Sequence, residues 1–292
     1  MLRLTKKSVR RTANVNFRHL SAVASIVLVV AFVSFAPNRE NKRKNSVDDV
    51  WDRFLPAAES AADYCTEKDA PALGWIRGLY ESQFSSLKSK CERVQRVGSV
   101  GDGGKLICTD VLRDESDTCI VYSLGSNLDF SFETSVRNIL GCEVFTFDCT
   151  LGAVNRSNVP KGINFYPWCV GGKTEKKVIS SNFGLTGDIG QYYPLSYIMR
   201  RLGHSRVDLL KMDIERHELA IIASLSVEYA PQQILFETHL HNAYGIWGRP
   251  VTRQEWRAFW NKIGDMGYRI FSFEPNPLCL CCCEWSVIRQ TR

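Results

Sequence analysis

Residues 119–148 read CIVYSLGSNLDFSFETSVRNILGCEVFTFD, and this stretch decides the fold. Cys119–Leu124 is a continuous apolar run that ends in Gly125. Such a run suits a strand buried on both faces. Phe130, Val136 and Leu140 then recur at helical spacing. Cys142–Phe147 is a second apolar strand, and it ends in Asp148. A strand, a helix and another strand in so short a stretch predict a unit of parallel strands joined by a crossover helix.

The same alternation continues outward. Ile163–Val170 is a third expected strand, and Pro194 to Leu202 suits a helix with proline near its first turn. Val207–Ile214 is a fourth strand and His217 to Leu225 a helix. Gln233–Thr238 is a fifth strand, followed by an amphipathic helix from Thr252 to Met266. Tyr268–Phe273 and Glu284–Ile288 come last. The connection between them is rich in proline and cysteine and too short for a crossover helix, so those two strands should pair antiparallel. The expected fold is α/β: a Rossmann-like, seven-stranded, mostly parallel sheet with a C-terminal antiparallel hairpin. Ligands on such sheets bind beyond the carboxyl ends of the strands, where strand order reverses.

Upstream, the composition changes. Arg3, Lys6, Lys7, Arg10, Arg11 and Arg18 precede an uncharged run, Leu20 to Ala36, and Arg39, Lys42, Arg43 and Lys44 follow it. Glu40 is the one acid in the first 44 residues. The net charge of +6 therefore belongs to this end, and the remainder is slightly acidic. No basic face with interleaved aromatics is left to track nucleic acid. Residues 1–19 read as a basic tail and 20–36 as a transmembrane signal anchor, type II, with the catalytic domain in the lumen of the Golgi or endoplasmic reticulum. The alternative is cleavage after Ser34-Phe35-Ala36 and secretion. Residues 37–90 read as a stem, with helical spacing at Val47, Val50, Trp51 and Phe54 and a second helix from Trp75 to about Lys88. Residues 91–292 are the folded domain.

Eleven cysteines suit an oxidising compartment and leave at least one thiol unpaired within the chain. Asn155-Arg156-Ser157 is a glycosylation sequon if the domain is lumenal. Cys279, Cys281, Cys282 and Cys283 contain one C-x-x-C spacing and no second pair. Disulfides or buried thiols are expected there rather than zinc.

The site should lie at the strand ends. Gly125 lets the backbone approach a ligand closely, with Ser123 and Asn127 beside it. A dinucleotide would need G-x-G-x-x-G to hold its pyrophosphate, and Asn127 stands where the second glycine belongs. S-adenosylmethionine carries no phosphate, so the single glycine favours it over NAD. Asp148 falls 23 residues on and is placed to accept from both ribose hydroxyls. Asp102, Gly103 and Gly104 precede the first strand, either as a tight turn or as a loop over the cofactor's amino-acid end.

Lys211, Asp213 and Glu215 alternate along the fourth strand, and Glu237, His239 and His241 at the end of the fifth. His239 or Glu237 can act as general base towards an acceptor hydroxyl. Alternatively Asp213, Glu215, Glu237 and His239 can hold a divalent metal that lowers the acceptor's pKa. With no tight ligand spacing, the metal-free base is favoured.

Together V-G-x-x-G-D-G-G at Val97–Gly104, C-x-V-Y-S-L-G at Cys119–Gly125, G-C-E-V-F-T-F-D at Gly141–Asp148, L-L-K-M-D-I-E at Leu209–Glu215 and F-E-T-H at Phe236–His239 resemble the methyltransferase-like protein 24 group, a branch near the FkbM-type methyltransferases. The resemblance implies a class I S-adenosylmethionine-dependent methyltransferase fold and names no substrate; the strand-end residues suggest methylation of an oxygen of a small molecule or glycan, with a catalytically silent lumenal binding module as the alternative. FkbM-type sequences read D-I-E-G, whereas the glycine position here is Arg216.

Overall fold

The computed structural model describes residues 89, 91–100, 103–111, 119–151, 158–181, 184–239, 251–276 and 282–290. By its contacts the chain divides into Met1–Arg43 and Lys44–Arg292, and every described residue belongs to the second unit. The apolar run Leu20–Ala36, the expected stem helices, the sequon, Asp102 and His241 lie outside the described residues. No helix among the described residues is long and apolar enough to cross a membrane.

Twelve strands and four α-helices are described. In chain order they are β1 (Val94–Val97), β2 (Lys105–Cys108), β3 (Ile120–Leu124), α1 (Ser131–Leu140), β4 (Glu143–Phe147), β5 (Ile163–Tyr166), β6 (Cys169–Val170), β7 (Glu175–Ser181), β8 (Gly184–Tyr193), α2 (Leu195–Leu202), β9 (Leu209–Met212), α3 (His217–Ser224), β10 (Gln233–His239), α4 (Arg253–Asp265), β11 (Tyr268–Pro275) and β12 (Cys282–Arg289). The main sheet has seven strands in the order β11-β12-β10-β9-β3-β4-β5. The five strands from β10 to β5 run parallel, while β12 is antiparallel to both β10 and β11. This is the mixed sheet expected from the sequence, C-terminal hairpin included. The chain steps from β3 to β4 to β5 on one side, then returns to place β9 on the other side of β3. The order therefore reverses between β3 and β9, and a crevice opens at their carboxyl ends.

Alternate residues of each strand face opposite layers. Tyr122, Leu124, Leu210, Met212, Ile234, Phe236, Trp285 and Val287 pack with residues of α2, α3 and α4, among them Ile198, Ile221 and Trp260. Val121, Val144, Leu209, Leu235 and Ile288 face the other way, onto Phe132 and Val136 of α1 and Ile107 and Cys108 of β2. A two-stranded ribbon, β1 with β2, thus covers the part of the second face that α1 leaves open. Gln233 pins it there. Its side-chain oxygen accepts from the Cys108 amide at 3.0 Å, and its amide group donates to the Cys108 carbonyl. Ser286 of β12 adds a bond to the Leu106 carbonyl at 2.8 Å.

Two departures from the sequence reading have local causes. The expected strand Ile163–Val170 breaks at Pro167-Trp168 into β5 and β6, because proline offers no N–H to the ladder. After the break, β6 joins β8 and β7 in a separate three-stranded sheet. The fourth strand is shorter than expected, Leu209–Met212, and the chain turns into α3 through left-handed Glu215 and Arg216. By contrast, the helix expected from Thr252 to Met266 has those two residues as its caps, with a complete capping box between Thr252 and Glu255.

Disulfides join Cys91 to Cys108, Cys119 to Cys142 and Cys149 to Cys169. Cys282 is also disulfide-bonded, to a cysteine outside the described residues, and Cys283 is a buried free thiol. The C-terminal cysteines described are thus a disulfide and a buried thiol, as their spacing suggested.

Candidate functional site

The loop after β3 is built tightly. Gly125 has φ +79°, and its amide donates to the Phe147 carbonyl at 2.9 Å. A Cβ on Gly125 would lie 2.0 Å from the Asp213 carbonyl oxygen. The glycine expected to admit a ligand is therefore required first by the chain itself, where the ends of β3 and β9 touch. Lys211, buried in β9, donates its ammonium to the Gly125 carbonyl at 2.5 Å. Asn127 and Leu128 both take left-handed conformations, with φ 44° and 64°.

Asp148 organises this loop. One carboxylate oxygen accepts from the amides of Ser126 and Asn127 at 2.8 and 3.0 Å and from the Ser126 hydroxyl at 3.3 Å. The other accepts from the Thr150 amide and hydroxyl at 3.0 and 2.6 Å. The amides a pyrophosphate would need are thus already held by a carboxylate, which itself repels phosphate. Ser123, expected among cofactor contacts, is instead fully buried and donates to Glu133 of α1, so it supports the loop from beneath. Burial raises the Glu133 carboxyl above its ordinary range, against the opposing effects of Lys211 and Ser123.

Gly103 and Gly104 belong to the turn of the ribbon. Gly103 has φ +83°, and a Cβ on Gly104 would meet the Ser99 carbonyl at 1.8 Å. Both are turn glycines by their own geometry. The turn rests beside the start of α1, where the Ser99 hydroxyl donates to Asp129 at 3.2 Å and its amide to the Ser131 hydroxyl at 3.2 Å.

On the other side of the crevice the four expected acid–base residues come together. Nε2 of His239 lies 3.3 Å from a Glu215 carboxylate oxygen and 3.4 Å from one of Glu237. Glu237 also accepts from Asn276 at 2.8 Å. Asp213 sits on the same cluster through Lys105, whose ammonium is 3.1 Å from Asp213 and 2.6 Å from Glu284. Burial pushes the Glu237 carboxyl well above its usual range, with the charges of Asp213 and Glu284 adding to the effect. Burial acts on Glu284 the same way, to about 7, despite Lys105. Burial opposes ionisation of Asp213 too, but Lys105, Lys211 and His239 overcome it and hold that carboxyl low.

Lys105 and Glu284 were not legible as site residues. Lys105 reads as the end of a glycine turn, and Glu284 as a polar residue in the last strand. The available signal was the pairing of β10 with β12, which sets Glu237 directly opposite Glu284. Two acids facing across a buried ladder require a cation or a proton.

Among the described residues, three sets of side chains at this cluster bring possible metal-ligating atoms within 4.8 Å of one another: Asp213, Glu215 and His239; Asp213, Glu237 and Glu284; and Glu237, His239 and Cys282. The disulfide removes the Cys282 thiolate from the last set.

Glu215 and Arg216 form the turn into α3 with φ 54° and 78°, a region where a side chain costs roughly 1 kcal/mol relative to glycine. Glu218 lies buried beneath that turn and accepts from the Ile214 amide at 2.8 Å. Burial pushes its carboxyl up to about 8 from 4.5. A raised carboxyl gives stability that is full below pH 4.5 and lost as pH rises through 8, because only the unfolded chain releases the proton early. Glu218→Gln is therefore expected to leave stability unchanged at pH 4 and to raise it by roughly 4 kcal/mol at pH 8. Chemical denaturation at the two pH values measures the difference. Equal effects at both would place the ionisation elsewhere.

Comparison with known proteins bears on this arrangement. The sequence matches a methyltransferase domain family over residues 44–289. A probable methyltransferase-like protein 24 from Rattus norvegicus is 26% identical over 167 residues, covering 52% of this chain. The chain spans 44% of that relative's length. Among solved structures, similarity extends to a magnesium protoporphyrin IX methyltransferase from Synechocystis PCC 6803 with bound SAH, at 13% identity, TM-score 0.36, and coverage of 84% of this chain and 95% of that one. It extends also to a fibrillarin pre-rRNA processing protein from Methanococcus jannaschii, at 8% identity, TM-score 0.40, and coverage of 70% and 86%.

Proposed function

Because this chain belongs to the methyltransferase domain family, as a class I S-adenosylmethionine-dependent member, we propose that it transfers a methyl group to an oxygen of a small molecule or glycan. The observation that carries the cofactor choice is the engagement of the Ser126 and Asn127 amides by Asp148, which suits a ligand without phosphate.

Gly125, Asn127 and Asp148 would hold S-adenosylmethionine at the ends of β3 and β4, with the turn at Gly103 and Gly104 alongside. Bound there, the cofactor supplies a methyl group on a positively charged sulfur. The chain's own task is to align an acceptor and take its proton. Asp213, Glu215, Glu237 and His239 lie across the crevice. Nε2 of His239 receives the proton from the acceptor hydroxyl, and the neighbouring Glu215 carboxylate stabilises the imidazolium that results.

We place the domain in an oxidising compartment, the lumen of the secretory pathway, anchored through Leu20–Ala36. Three described disulfides and a bonded Cys282 support that setting.

Titration calorimetry tests the cofactor. Wild type is expected to bind S-adenosylmethionine, and Asp148→Ala to bind it at least tenfold more weakly because the loop loses its organiser. A wild type that binds NAD and not S-adenosylmethionine would sink the proposal. Binding without turnover against a broad panel of hydroxyl acceptors would instead identify a silent binding module.

A further inference from the structure

The acid cluster holds more carboxylates than its surroundings balance. Asp213, Glu237 and Glu284 bring oxygen atoms within 4.8 Å of one another, and Glu237 and Glu284 stand directly opposite across β10 and β12. Glu237 and Glu284 are buried, Asp213 is 17% exposed, and the second carboxylate oxygen of Glu284 is buried with no hydrogen-bond partner. Such a group of oxygens suits a divalent cation. A different cation is already delivered there. Lys105 is 1% exposed, and its ammonium bonds both Asp213 and Glu284. The ribbon carries it in, pinned at Cys108 by Gln233 and at Leu106 by Ser286, so the lysine enters from outside the sheet at a fixed height.

We propose that Lys105 is the resident cation of this site: its ammonium occupies the place a divalent metal would otherwise take among Asp213, Glu237 and Glu284, and it makes the acid–base chemistry metal-independent. A dication on Asp213 would sit within a few ångströms of that ammonium, and their repulsion in a buried site is strong. Lys105 is on this view a positioning residue. It fixes Asp213 and Glu284, and through them the charge that Glu237 and His239 experience. The inference rests on the methyl-transfer reading for its chemical meaning. Its test requires no methyl transfer, so the two fail separately.

The probe is Mn²⁺, followed by titration calorimetry and by the electron paramagnetic resonance signal of the free ion. Wild type is expected to show no stoichiometric Mn²⁺ site, and its affinity for S-adenosylmethionine to be unchanged by a chelator. Lys105→Ala is expected to bind one Mn²⁺ at least tenfold more tightly than wild type and to lose that site again in Lys105→Ala/Asp213→Asn. Removing the ammonium leaves buried carboxylates together, so the variant is melted with and without Mn²⁺. Folding only with the ion is the same positive result. Should it fold in neither condition, Lys105→Gln, which keeps all three carboxylates and a neutral donor towards Asp213 and Glu284, carries the comparison with a gain of the same sign. A folded variant without a new Mn²⁺ site overturns the proposal, as does a wild-type Mn²⁺ site that disappears in Asp213→Asn.

Discussion

Gly125→Ala is expected to destabilise the domain by about 3–5 kcal/mol and to abolish binding of S-adenosylmethionine. Two penalties combine. Alanine at φ +79° costs about 1 kcal/mol or more. The added Cβ also falls 2.0 Å from the Asp213 carbonyl oxygen, well inside any permitted contact. That oxygen cannot simply move aside. The Asp213 amide donates to the Leu124 carbonyl at 3.0 Å, the Gly125 amide to Phe147, and Lys211 to the Gly125 carbonyl. Relief therefore requires β3 and β9 to part at the crevice. Gly141→Ala is the matched control. Gly141 has φ 71° with nothing within 4 Å of the added Cβ, so it isolates the backbone cost alone. Chemical denaturation of both variants reads the difference. If they lose the same stability, the close approach at Asp213 is not what demands glycine.

That close approach also shows what the sequence could and could not reveal. Every strand of the main sheet was legible, because the central ones are apolar runs buried on both faces and the outer ones still carry enough apolar residues to be read locally. The helix capped by Thr252 and Met266 was legible because its capping box is local. The residues at the strand ends were legible too, since alternation alone put Asp213 with Glu215 and Glu237 with His239 on common faces. Their partners were not. Lys105 reaches the cluster only because the ribbon folds over β10 and β12, more than a hundred residues away in sequence. Of the three-stranded sheet, β6 was read as the end of the strand Ile163–Val170, and β7 and β8 were missed because the first is mostly polar and the second glycine-rich, with no apolar run to mark them. Roles were harder still. Gly125, Ser123 and Asp148 were found at the right place, yet each first serves the loop: one by lacking a side chain, one by bonding Glu133, one by gathering amides. Spacing shows where a residue lies in the fold. It does not show how many of its bonds the chain has already claimed.

His239→Gln is expected to lower kcat by about 10²–10⁴ while leaving the affinity for S-adenosylmethionine within threefold of wild type. His239 lies at the end of β10, 4% exposed, with Nε2 between carboxylate oxygens of Glu215 and Glu237 at 3.3 and 3.4 Å. Glutamine preserves much of the volume and a polar end but cannot take up a proton at neutral pH. The two flanking acids should then respond differently. Burial pushes the Glu237 carboxyl well above the ordinary range and so disfavours its ionised form, and Glu237→Gln therefore removes less charge from the site. The Glu215 side chain is 20% exposed against 4% for Glu237. Glu215 is the more exposed of the two, and Glu215→Gln removes the carboxylate placed against the imidazole. The expected order of damage is His239→Gln, then Glu215→Gln at about tenfold or more, then Glu237→Gln. Single-turnover formation of S-adenosylhomocysteine with a hydroxyl acceptor, measured across pH 6–9, separates the three. A His239→Gln enzyme that retains more than a tenth of wild-type kcat would move the proton acceptor away from this histidine. An Glu237→Gln loss as large as that of Glu215→Gln would mean that the buried carboxyl works ionised, with Lys105 neutralising Glu284 alone.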